Sequence, residues 1–227
     1  SHFYDIFRYQ ILDTNSYIEE IWAYGYWAID RCARIIKEGA SFKEVTKGDL
    51  TEVEGCIAQA YAIKALCSFY LTNMFGLPYS EANKTTLGIV NVTEPVPAYS
   101  QVSRVSVEQN YSLILDDITK AKEYYAKEGV ENVGKQYMNT AAVAALEARV
   151  KLYMKNYEGA ITAAQEAITL SGGTIVSTKE DYKNMYTTLA VSTEDIFFIA
   201  KAEDDYLSAH ALNTLWNKYG LSINSAT

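Results

Sequence analysis

Nineteen tyrosines and three tryptophans in 227 residues give this chain one clear chemical resource. An aromatic ring offers an apolar face, and Tyr and Trp add a polar edge. Most such rings fill helix–helix seams, but a surplus can also supply exposed stacking platforms for sugars or peptides. The materials for acid–base chemistry are poorer. The acidic residues fall in runs, Asp116-Asp117, Glu194-Asp195 and Glu203-Asp204-Asp205, which read as solvated helix turns and loops. Hydrolysis of a glycosidic bond needs two carboxylates facing each other across it. Carboxylates adjacent in sequence point to different faces of a helix and cannot flank one bond. His210 could serve as a general base, but no Ser or Cys elbow accompanies it, so it reads as a surface histidine. The cysteines are Cys32, Cys56 and Cys67. Cys56 and Cys67 fall on one predicted helix, about 16 Å apart at helical rise, too far for a disulfide. All three read as buried free thiols, which behave as small apolar groups. Without a CxxC, and with His2 and His210 far apart, zinc is not expected. No cofactor and no catalytic residue is indicated.

The bulk properties narrow the partners. The net charge is −8, with 20 Lys and Arg against 28 Asp and Glu. An acidic chain without a basic stripe repels phosphate backbones, which argues against nucleic acid. No run of about 18 apolar residues exists, so no transmembrane helix is predicted. The opening SHFYDIFRYQ lacks a starting Met, a basic stretch and a small-residue cleavage site, and reads as a mature or trimmed segment.

The elements that must position any site are predominantly helical. NTAAVAALEARVKLYMKNYEGAITAAQEAITL, residues 139–170, reads as two helices folded back on each other. Alanines line the seam, Asn139 caps the first helix, and Gly172-Gly173 ends the second. Tyr157, Ala160, Ala164 and Ala167 follow the tetratricopeptide pattern. Glu147 and Lys151 sit where that pattern wants Leu and Tyr. Upstream, a helix is predicted from Asn15 to Glu38, with Gly39 as its stop. A second runs from about Thr51 to Phe75 and is apolar nearly all round, save a narrow stripe of Lys64, Ser68 and Thr72; it is the expected centre of its bundle. Lys64 would need an acidic partner there, Glu52, Glu54 or another. All three prolines lie between Pro78 and Pro97, within a connector (77–105) far longer than the about two to eight residues usual between helices. Ser106-Val107-Glu108-Gln109 is a capping box that launches a helix to about Ala126. Later, Asp195 to Ile199 is a short β-like run, and weak helical character recurs over Tyr206–Tyr219. The reading is therefore all-α: tetratricopeptide-like helical hairpins, a long irregular connector and a short β-like segment near the C-terminus. Its parts are helical 1–76, connector 77–105, hairpin part 106–173 and irregular tail 174–227, taken as one domain.

In this order and spacing, the pieces resemble the SusD/RagB family of outer-membrane nutrient-binding lipoproteins. Trp27-Ala28-Ile29-Asp30-Arg31-Cys32-Ala33-Arg34-Ile35-Ile36 is similar to the family's early helix, with Trp27 in its core position. The family's strongest signature resembles Ala60-Tyr61-Ala62-Ile63-Lys64-Ala65-Leu66 with Met74-Phe75-Gly76-Leu77-Pro78-Tyr79. Lys64 stands where the family usually has Arg. Arg104, Ser106, Val107, Tyr111, Ile114 and Asp117-Ile118 resemble the next helix, and Glu194-Asp195-Ile196-Phe197-Phe198 resembles the strand after the hairpins. Family members are much longer. The resemblance covers their N-terminal, tetratricopeptide-bearing portion, without the lipidated cysteine or the irregular C-terminal portion.

The resemblance implies non-catalytic glycan capture at the cell surface of a Gram-negative, Bacteroidetes-type bacterium. It also implies delivery to a SusC-like TonB-dependent transporter, with membrane contact only through a lipid anchor that this chain lacks. Sugar recognition needs a flat aromatic face for the C–H side of a pyranose, and amides, carboxylates or Arg for its hydroxyls. The candidate platforms are Trp22, Tyr24, Tyr26, Tyr79 and Tyr99. Each competes with plain packing, in a helix seam for the first three and as a loop anchor for the last two. The hairpins are expected to serve as scaffold. Two other readings stand beside this one: a tetratricopeptide module that binds a peptide or partner protein, and an α-helical carbohydrate-active enzyme.

Overall fold

A computed structural model describes residues 8, 10–187 and 191–200. Among these residues there are six helices and no strand ladder: α1 Ser16–Val45, α2 Thr51–Phe75, α3 Val107–Tyr125, α4 Thr140–Tyr153, α5 Tyr157–Ser171 and α6 Lys179–Thr187. The main packed pairs are α1–α2, α2–α3 and α4–α5. None of these helices is long and apolar enough to cross a membrane.

The caps act where the sequence places them. The Asn15 side chain accepts from the Tyr17 and Ile18 amides at the start of α1. Ser106 and Gln109 close the reciprocal capping box of α3. Asn139 accepts from the Ala142 amide, 2.8 Å. Between α4 and α5 the chain turns through Lys155 at φ +61°, and Asn156 caps α5. Gly172 ends α5 in the left-handed conformation at φ +58°.

Gly39 does not stop α1, which continues to Val45. A Cβ on Gly39 would lie 2.8 Å from Ile57 Cδ1, and one on Gly25 would lie 2.8 Å from Leu71 Cδ2. Both glycines let α1 lie close against α2; neither serves as a terminator. Past Gly39, Lys43 Nζ lies 2.5 Å from Glu54 Oε1, which Lys127 also reaches at 2.6 Å. That shared carboxylate ties the last turn of α1 to α2 and to the segment just past the end of α3.

Helix α2 is central, as its composition predicts. Ala58, Ala62, Ala65 and Phe69 pack with Tyr111, Ile114 and Ile118 of α3 and Val143, Leu146 and Val150 of α4 in the main core. Leu71 joins Ile29 and Ala33 of α1 in a second cluster that also takes in Ile89, Val92 and Val96 of the connector. Full burial of each large apolar side chain is worth about 1.5–3 kcal/mol, so these seams dominate the energetics. The polar stripe on α2 is buried too: Lys64 is 3 % exposed, Ser68 6 % and Thr72 1 %. Lys64, at its N-terminal end, reaches the connector at Val92 O, and the Thr72 hydroxyl donates to Ser68 O within the helix.

Glu147 and Lys151 are taken up in an ion-pair network between helices. Lys122 of α3 reaches Glu147 at 2.5 Å and Glu166 of α5 at 2.6 Å, while Lys151 reaches Glu147 at 2.5 Å. Four charges thus replace apolar packing where α3, α4 and α5 meet, which accounts for the departure from the repeat pattern. The segment expected to be an irregular tail contains α6. The expected β-like run 195–199 pairs with no strand among the described residues. It is instead held by the Phe198 amide donating to Lys135 O, 3.0 Å, and by Ile196 and Phe197 packing on the main core. The Tyr206–Tyr219 segment lies outside the described residues.

Candidate functional site

The connector is irregular in shape but tightly fastened. Its middle is tied to its end: the Gly88 amide donates to Val105 O (2.7 Å) and the Val105 amide to Ile89 O (3.0 Å). Asn110, 1 % exposed on α3, holds both sides of Ile89: its Oδ1 accepts the Ile89 amide at 2.8 Å and its Nδ2 donates to Ile89 O at 3.1 Å. Tyr26 does the same for Val90, donating its hydroxyl to the carbonyl (3.0 Å) and accepting from the amide (2.8 Å). Burial pushes the Tyr26 hydroxyl up to about 12, so it keeps the proton it donates. Arg104 donates to Gly88 O and, at 2.5 Å, to Phe75 O. Lys64 donates to Val92 O, 3.2 Å.

This fastening fixes the roles of the aromatic candidates. Trp22 packs against Tyr26 (centroids 4.8 Å apart) and edge-on to Phe75 (4.9 Å), inside the second cluster. Tyr26 is a clamp on Val90. Tyr79 is half-buried and leans on the buried Tyr111 ring, 4.9 Å away. Tyr99 stands apart: it is fully exposed, and its φ is +63°. It is the third residue of a turn closed by the Ser100 amide on Pro97 O, 3.2 Å, a position that favours glycine or asparagine. A bulky residue there is strained, and such strain collects at ligand-binding positions.

Tyr24 also presents its ring to solvent, on the face of α1 turned away from the core. Its neighbour there is Trp27, met edge-to-face with centroids 5.1 Å apart; the two rings are 59 % and 56 % exposed. Trp27 is thus not in the core position that the resemblance implies. The helical period held the signal: Trp22, Tyr26, Ile29 and Ala33 form the inward stripe of α1, and Tyr24 and Trp27 fall outside it.

The acidic pair on α3 is split by its environment. Asp116 and Asp117 diverge, as adjacent helical residues must, but only Asp116 is solvated. Asp117 is 2 % exposed and meets Lys64 at 2.9 Å. It is this buried carboxylate, and not Glu52 or Glu54, that partners Lys64. Burial, opposed by the Lys64 charge, raises the Asp117 pKa to about 6. Of the thiols, Cys32 is buried, Cys67 half-buried and Cys56 exposed, so Cys56 departs from the expected burial. Cys56 faces outward from the first turns of α2. Among the described residues no cluster of three His, Cys, Asp or Glu could hold a metal. What the exposed rings offer is stacking: flat apolar faces held on a fastened loop and a packed helix.

The chain resembles known proteins along most of its length. The sequence profile of the SusD-like family, described as starch-binding and associating with the outer membrane, matches residues 3–152. No curated protein sequence matches the chain. Among solved structures, a SusD superfamily protein from Bacteroides thetaiotaomicron is 26% identical with a TM-score of 0.72, over 81% of this chain and 39% of its own. Another, from Bacteroides vulgatus, is 24% identical with a TM-score of 0.75, over 88% and 45%. Surface glycan-binding protein A from Bacteroides fluxus is 23% identical with a TM-score of 0.54, over 74% and 32%, and shares the fold. The chain spans less than half the length of these proteins. The capped helices, the long fastened connector and the profile match over two-thirds of the sequence together place the chain in the SusD-like family.

Proposed function

We propose that this chain binds glycan without cleaving it, at the outer-membrane surface of a Bacteroidetes-type bacterium. There it would serve as the helical, tetratricopeptide-bearing portion of a lipid-anchored protein that passes its ligand to a SusC-like TonB-dependent transporter. The carrying observation is Tyr99: a strained, fully exposed ring at the turn of a connector fastened by Tyr26, Asn110, Arg104 and Lys64. The turn fixes the backbone at Tyr99, so its ring has only its two side-chain torsions to lose on binding, which favours stacking on a pyranose. Tyr24 and Trp27 form a second exposed platform on α1. Trp22, Tyr26 and Tyr79 support the loop and do not touch the ligand in this reading.

The test is retardation in native affinity gels containing soluble starch, other soluble polysaccharides or glycosaminoglycans. One glycan should retard the wild-type chain; Tyr99→Ala should abolish that retardation, and Trp27→Ala should weaken it. Wild-type migration unaffected by every glycan would remove the reading. A peptide-binding tetratricopeptide surface would then take its place, favoured by the exposed Leu152, Tyr157, Ile161 and Ile168 along α4 and α5.

A further inference from the structure

The Lys64–Asp117 pair is an expensive way to join two helices. Both side chains are 3 % exposed, and Asp117 Oδ2 has no hydrogen-bond partner. Two thiols and a tyrosine ring lie close by. The Cys32 thiol is pushed up to about 12, chiefly by burial, Cys67 is raised for the same reason, and the Tyr61 ring lies 5.7 Å from Lys64 Nζ. Asp116, the other carboxylate acting on Asp117, is solvated. A well-packed apolar pair at such a place usually holds helices together as well as, or better than, a buried ion pair. Cohesion of α2 and α3 therefore does not explain the charges.

The third contact does. Lys64 Nζ also donates to Val92 O at 3.2 Å. Val92 is 6 % exposed and sits in the second cluster with Ile29, Ala33, Leu71 and Ile89. A buried backbone carbonyl needs a donor. A lysine can supply one only if its own charge is neutralised nearby, which is what Asp117 does. An apolar pair would join the helices but leave that carbonyl without its donor.

We propose that Lys64 and Asp117 are a positioning pair, holding the connector at Val92 in the conformation that presents Tyr99. The proposal rests on the reading of Tyr99 as the glycan platform, but its structural half stands separately. The orphaned Oδ2 fits the single-point reach of lysine; an arginine in its place could meet both carboxylate oxygens.

The test compares the wild-type chain with Lys64→Met/Asp117→Leu and with Lys64→Arg. Three quantities are measured: the urea midpoint, amide exchange at Ile89, Val90 and Val105, and retardation by soluble starch. The double variant should keep or raise its midpoint, exchange those amides about tenfold faster through loss of one buried hydrogen bond, and lose retardation. Lys64→Arg, which keeps a cationic donor beside Asp117, should retain wild-type exchange and retardation. Wild-type exchange rates in the double variant would overturn the proposal. So would faster exchange with undiminished retardation, or a double variant that no longer folds, since the pair would then serve stability alone. If starch does not retard the wild-type chain, the starch-binding form of the functional reading fails, and the exchange rates still decide whether the pair positions the connector.

Discussion

At the scale of single residues, Tyr99 separates stability from function. Its left-handed backbone costs an L-residue about 1–2 kcal/mol. Tyr99→Gly relieves that strain, while the greater freedom of glycine in the unfolded chain costs roughly 0.5–1 kcal/mol. Because the ring is fully exposed, no packing is lost. Tyr99→Gly should therefore leave the urea midpoint unchanged or slightly raised while removing glycan retardation. A clear fall in the midpoint would mean that the ring stabilises the fold, and the functional account of its strain would fail. Sequence drew attention to Tyr99 as a residue in a long connector. Its positive φ, which distinguishes it from Tyr79, is a property of the folded turn.

At the scale of elements, the joint between the connector and α3 is the most constrained contact. Gly88 passes so close to Asn110 that a Cβ would overlap its Oδ1 and also crowd the Val107 backbone. That same Oδ1 accepts the Ile89 amide. Gly88→Ala must therefore displace a buried carboxamide whose oxygen and nitrogen are both in use. The expected loss is about 2–3 kcal/mol, from a buried hydrogen bond broken and its groups left unsatisfied. Urea unfolding measures it; a loss under about 0.5 kcal/mol, typical of an unconstrained surface site, would show that the joint can relax. The helices on either side of this joint were largely legible, because caps and apolar periodicity are local signals. The ends of α2, the capping box of α3, and Asn139 and Gly172 flanking the α4–α5 hairpin all lie where the sequence indicates. The end of α1 was not legible. Gly39 has the composition of a terminator, yet its role is set by Ile57 on another helix.

At the scale of the whole molecule, the buried and paired carboxylates shape the pH dependence of stability. Asp117 has its folded pKa raised from 3.8 to about 6 by burial. The folded state thus binds this proton more tightly than the unfolded chain does. Its contribution is stabilising at low pH and is lost as pH rises from about 4 to about 6. Glu54 and Glu147 act in the opposite sense. Hydrogen bonds from Lys127 and Lys43 hold Glu54 low. Glu147 is also held low, its pairing with Lys122 and Lys151 outweighing its burial. Their stabilisation is present above the ordinary carboxylate range and is lost as pH falls through it. The urea midpoint of the wild-type chain should therefore peak near about pH 5. Asp117→Asn should remove the decline between that peak and about pH 6. A decline that persists in Asp117→Asn would show that another group is responsible.

The all-α class, most helix boundaries and the family are legible along the chain, because they follow from caps, periodicity and motif order. The sequence also identified an aromatic surplus, but not which rings are free. Tertiary structure decided that. It turned Trp22 and Tyr26 inward and Tyr24 and Trp27 outward, leaned Tyr79 on Tyr111, and left Tyr99 alone in solvent. It likewise buried Asp117 while Asp116 stayed wet, because the connector folds over one face of α2 and α3 to place Val92 above Lys64. The physical reason is range. A cap or a helical stripe is satisfied within a few residues of itself. The burial of a ring or a carboxylate depends on which distant segment comes to cover it.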